Sequence, residues 1–272
     1  MTENLPATLP IPPHAQAELD AARRVLEDSS LASKLAGMAG TPIEALRKRL
    51  PKMAQGMVDG AVRRALAKSL QAATRSAPAW TLPGVSSSWM HRGMAATSGA
   101  VGGAFGLPGT LVELPISTTL LLRQILAEAQ AAGEDPTALE TGAEALKVFA
   151  LGGPAADTES AETSYFATRL ALAQFLPTMS GALLPGFIGA IAARFTGPLM
   201  LKLGAQAAPV FGAAAGAAVN LAFLEHFRAL GRAHFTVRRL ERDYGAPAVR
   251  LAWTQGRPDA KPVVELRAEA MG

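Results

Sequence analysis

A chain of 272 residues is long enough to bury a large core, as one domain or as one and a half smaller ones. Hydrophobic side chains make up 49% and charged ones 18%, below the roughly 25% usual in soluble domains, while a net charge of +4 leans toward anionic partners. The absence of cysteine excludes disulfides, thiol nucleophiles and thiolate metal sites.

Residues 1–14 read as a Pro-rich, disordered tail. They do not pair a basic start with an apolar core, so no secretory leader is read and a cytoplasmic location is expected. A basic amphipathic arm follows over 15–78. Its helices are "HAQAELDAARRVLED", then "TPIEALRKRL" with Thr41 as cap and Pro42 in the first turn, then "KMAQGMVDGAVRRALAKSLQAATRS". From Arg23 to Arg75 there are eleven Lys/Arg against four Asp/Glu, a local net of +7. Ile43, Leu46, Leu50, Met53 and Met57 recur at helical steps. Such an arm can lie on anionic lipid or pack on the domain with its basic face solvated.

"SAPAWTLPGVSSSWM" marks the boundary to a helical core over 79–250, with a tail over 251–272. "PISTTLLLRQILAEAQAAG" predicts a helix from near Pro115 closed by Gly133. "DPTALETGAEALKVFALGG" predicts one capped by Asp135 and stopped by Gly152. A third is predicted from near Thr158 toward Pro177. The longest runs from about Pro209 to Tyr244, roughly 50 Å of rod, closed by Gly245 and Pro247. Gly204, Ala208, Gly212, Gly216 and Asn220 recur every four residues, a ridge that lets another backbone approach closely. "VRLAW" near 249–253 is the one candidate strand. Three uncharged stretches, 93–112, 170–193 and 203–224, are rich in Ala and Gly. They read as buried helices, with membrane insertion as the rival. The fold expected is all-α: a compact bundle of closely packed Ala/Gly-rich helices, one long C-terminal helix and a basic N-terminal helical arm.

Catalytic signatures are missing. There is no G-x-x-x-x-G-K-[ST], no G-x-G-x-x-G after a strand, no G-x-S-x-G and no H-E-x-x-H. Four scattered histidines do not propose a metal site, and no cofactor is expected. What remains is charge in apolar surroundings. Glu113 and Arg123 each need a partner, and a salt bridge between loop and helix is the simplest answer. Arg169 and Arg194 bracket an uncharged run and are expected where helices emerge into solvent. On the long helix, Val219, Phe223, Leu230, Val237 and Tyr244 share a meridian. His226 lies within that face and His234 at its edge; a core histidine bonded to a carbonyl is expected for both. Arg228, Arg232, Arg239 and Arg242 line the other side, either as an anion-binding strip or, with Glu225 and Asp243 beside them, as an ion-paired face.

Two blocks carry a resemblance. "SGAVGGAFGLPGTLVELPISTTLLLRQI" with "GED" and "LKVFALG", and "APVFGAAAGAAVNLAFLEHFRALGRAHFTVRRLERDYG", resemble the EcsC family of bacterial proteins over roughly residues 80–250. That family takes its name from a protein encoded beside the subunits of an ABC transporter, and it offers no accepted catalytic residues. The resemblance places Glu113, Arg123, Asn220, His234, Arg238 and Arg239 inside signature blocks. A buried polar cluster of Glu113, Arg123, Asn220, His234 and Arg238 is therefore expected. The function expected is non-enzymatic: a cytoplasmic protein peripheral to the inner membrane, binding lipid or supporting a transport machine, and able to form a homo-oligomer. The alternative is a hydrolase using Glu113 and His234 as acid and base. Nucleic acid is disfavoured, for want of aromatic and basic interleaving.

Overall fold

The structure, a computed structural model, describes residues 10–27, 52–75, 114–152, 161–173, 184–206 and 213–255, with single residues between 31 and 37 and at 93. It is all-helical, and no strand occurs among the described residues. The helices are α1 (Pro13–Leu26), α2 (Lys52–Arg75), α3 (114–131), α4 (Leu139–Leu151), α5 (Ala161–Ala173), α6 (Leu184–Gln206), α7 (Ala213–Tyr244) and α8 (Ala246–Gln255).

Punctuation by glycine works as the sequence implies. Gly133 takes φ +83° after α3, and the Glu134 amide reaches back to the Ala129 carbonyl at 3.0 Å. Gly245 takes φ +86° after α7, a left-handed stop at which a side chain would be strained. Three expectations are corrected. Asp135 does not cap α4; its Oδ1 accepts the Thr137 amide and hydroxyl at 2.8 and 2.7 Å, closing a turn, and the N-cap is Ala138. "VRLAW" lies in α8, because the left-handed Gly245 ends one helix and Pro247 fits the first turn of the next. The four-residue glycine ridge does not run along one helix, since Gly204 belongs to α6 and α7 starts at Ala213. The helix predicted over 41–50 lies outside the described residues.

Packing resolves into two apolar clusters. The larger joins α2, α3, α4, Leu172 of α5, α6 and α7 from Val219 to Phe235. Its heart is a knot of rings from three helices: Phe149 meets Phe195 edge-on at 4.8 Å and Phe227 at 5.6 Å, and Phe223 lies 4.9 Å from Phe227. Backbones do close in on neighbours, at positions the ridge did not include. A Cβ on Gly152 would sit 2.5 Å from Phe227 Cζ, and one on Gly231 would press Ile125 at 3.3 Å. The smaller cluster joins α1, Tyr165 of α5, the second half of α7 and α8, through Leu19, Val237, Leu240, Val249 and Trp253. The arm's helices are part of these cores: Val58, Val62 and Leu66 of α2 and Leu19 of α1 are fully buried. Among the described residues, no helix is long and apolar enough to cross a membrane.

Candidate functional site

Between the two clusters lies a polar junction built from one-turn spacings on three helices. α7 supplies His234, Arg238 and Glu241; α4 supplies Glu144 and Lys147; α5 supplies Tyr165 and Arg169. Offsets of three or four residues put each helix's contributors on one face, so α7 can aim three side chains, and α4 and α5 two each, at one spot.

His234 is fully buried at the centre. Its Nε2 lies 3.2 Å from Glu144 Oε2 and its Nδ1 3.1 Å from the Tyr165 hydroxyl. A carboxylate only accepts, so Nε2 carries the proton; Nδ1 is then the acceptor and Tyr165 donates to it. The Tyr165 oxygen in turn faces Arg169 NH1 at 3.5 Å. Arg169 clasps Glu241 with two hydrogen bonds of 2.9 and 2.8 Å. The other oxygen of Glu144 takes Lys147 Nζ at 2.7 Å and faces Arg238 at 3.2 Å. Burial pushes Glu144 toward its neutral form, but the His234 hydrogen bond and the charges of Lys147 and Arg238 outweigh it, holding the carboxyl well below its ordinary range. Burial lowers Lys147, with Glu144 only partly offsetting it. Burial also lowers His234; Glu144 opposes this, while Arg169 and Arg238 reinforce it. Burial raises Tyr165 well above its usual range, so the hydroxyl stays protonated.

Further ion pairs fasten α7 to α3 and the loop after it. Glu128 is shared by Arg228 at 2.8 Å and Arg232 at 2.9 Å. Burial raises this carboxyl, yet the two guanidinium groups bring it below its ordinary range. Glu134 takes Arg238 at 2.6 Å and Arg242 at 2.7 Å, and Arg242 also donates to the Ala132 carbonyl at the end of α3. Arg239 pairs with Glu18 of α1 and, at 3.4 Å, with Asp243. The arginine stripe of α7 is thus an ion-paired face.

The sequence-predicted cluster divides. His234 and Arg238 belong to the junction. Asn220 is also buried, but lies about 21 Å along α7 from His234, beside a small recess with Ser117 and Lys202. Arg123 is half-buried on α3, and Glu113 lies outside the described residues. His234 bonds a hydroxyl and a carboxylate rather than a carbonyl, and His226 is half-buried with its ring against Phe227. Arg169 and Arg194 do not mark exits into solvent: Arg169 is paired with Glu241, and Arg194 donates to the Thr168 hydroxyl at 2.7 Å. Sequence reasoning missed Glu144, Lys147, Tyr165 and Glu241. The available signal was Glu144 and Lys147 set three apart within the otherwise apolar "GAEALKVFAL".

The model of the EcsC protein family matches residues 85–240. The chain belongs to the EcsC protein family. The matched region contains Glu128, Glu134, Glu144, Lys147, Tyr165, Arg169, His234 and Arg238, so nearly the whole junction of this EcsC member lies within it. No curated protein and no solved structure matches the chain.

Proposed function

We propose that this EcsC protein is a non-enzymatic factor working at the inner face of the membrane, and that α2 is its contact with anionic lipid headgroups. The observation that supports this reading is the division of α2 into two faces. Val58, Val62, Ala65 and Leu66 are buried toward the bundle, while Arg63, Arg64 and Lys68 are exposed on the other side. Cations on an exposed helix face attract an anionic surface with about 1 kcal/mol each. Arg63 shares its charge with Asp59 one turn earlier at 2.9 Å, whereas the arginines of α7 are each paired with carboxylates, several of them on other elements. His234 is held by two hydrogen bonds with no exposed surface, which favours a structural role over acid–base catalysis.

Vesicle flotation tests the reading. The protein is expected to float with vesicles containing phosphatidylglycerol and to stay behind with phosphatidylcholine alone. Replacing Arg63, Arg64 and Lys68 together by Gln should weaken the association on the order of 100-fold. Arg232→Gln should change it little. Absence of association with anionic vesicles, or a triple variant that floats like the parent, would refute the lipid reading. Binding to native membranes but not to protein-free vesicles would assign the surface to a transporter instead.

A further inference from the structure

The junction around His234 has a hydrogen-bond order that favours one protonation state, the neutral ring with its proton on Nε2. Tyr165 donates to Nδ1, and its oxygen faces Arg169 NH1. A proton added to Nδ1 would turn the ring from acceptor to donor, so the hydroxyl oxygen would have to accept from both the imidazolium and Arg169. The hydroxyl proton would then lose its acceptor and have to turn away from the ring inside a buried site. Charge acts in the same sense. The groups facing the ring are Glu144, with its partner Lys147, from α4; Tyr165 and Arg169 from α5; and Arg238 and Glu241 from α7 itself. The one carboxylate in contact with the imidazole is already shared with Lys147 and Arg238. A cationic imidazole would join three cations with no new anion to balance it.

We propose that protonation of His234 is a built-in release: as the surroundings acidify, the imidazolium expels the Tyr165 hydroxyl and loosens α5 from the α4–α7 pair. Trp253 of α8 stacks on Tyr165 at 5.2 Å, with planes 17° apart, so the loosening spreads to α8. The depressed proton affinity of His234 agrees with this geometry, because the folded junction prefers the neutral ring.

The sign follows from proton linkage. Below pH about 6.5 the opened state binds a proton that the closed state refuses, so closure weakens as pH falls. One such proton lowers amide protection about tenfold between pH 7.5 and 5.5. Hydrogen exchange by mass spectrometry on the full chain, corrected for the intrinsic rate, is expected to show that loss in peptides covering 161–173 and 246–255. His234→Gln keeps an amide able to donate to Glu144 and cannot titrate, so its loss over the same range should be less than twofold. In parallel, ring nitrogen shifts in the parent protein should keep His234 neutral with the proton on Nε2 down to the pH at which protection falls. Retention of the tenfold loss in His234→Gln would overturn the proposal. So would a ring that becomes cationic at or above pH 6.5 with α5 still protected, a result that stands even if the variant does not fold.

Discussion

From Val219 to Leu230, the buried face of α7 sits among phenylalanines; from Ala233 to Tyr244 the same helix adds a buried set of ionic side chains to its apolar contacts. In the first half, contact is non-directional, and Phe149, Phe195, Phe223 and Phe227 need only fit. In the second half, His234, Arg238 and Glu241 accept particular partners at particular atoms. A ring cluster can slide a little and lose a little. A carboxylate shared by a lysine, an arginine and an imidazole cannot. The comparison suggests that the apolar half contributes most of the stability, while the polar half fixes how far α4 and α5 stand along α7.

Phe227→Ala should break the apolar half most severely, costing about 3–5 kcal/mol by urea denaturation, with a cost that barely changes between pH 8 and 5.5. Glu144→Gln strikes the polar half and should cost about 3 kcal/mol, because Lys147 and Arg238 lose their shared anion. That cost should depend on pH. The folded carboxyl lies below its unfolded value, so its contribution is complete above pH about 4.5 and fades as pH falls further. Urea midpoints of parent and variant should therefore converge on acidification; a constant gap would show that Glu144 is not held as an anion. The smallest effect is expected at the rim, where Arg239→Gln loosens an exposed link between α7 and α1 and should cost at most about 1 kcal/mol.

The two halves also differ in how well they could be read in the sequence. Helix ends were legible wherever a glycine supplied a left-handed stop, as at Gly133 and Gly245, and the all-α class followed from period alone. Family membership was legible in two long blocks. The junction was not. His234 and Arg238 could be singled out, but their partners lie on helices far away in the chain, such as Glu144, 90 residues earlier, and Tyr165, 69 residues earlier. Glu144 and Lys147 at a three-residue offset look the same whether solvated or buried. The arginine stripe was visible at helical spacing, yet Glu128 and Glu134, which neutralise it, belong to α3 and the turn beyond it. Local pattern reports which face a residue occupies, and only packing reports what stands opposite.

The interlocking of α1 and α8 with the end of α7 bears on where the molecule can be cut. Arg23 donates to the Trp253 carbonyl at 2.8 Å, and Leu19, Val249 and Trp253 are buried in one cluster. A fragment trimmed to the span of the family match would discard both helices together with Glu241. It would lay bare the sides of Tyr165, Val237 and Leu240, inviting self-association instead of leaving a self-sufficient unit.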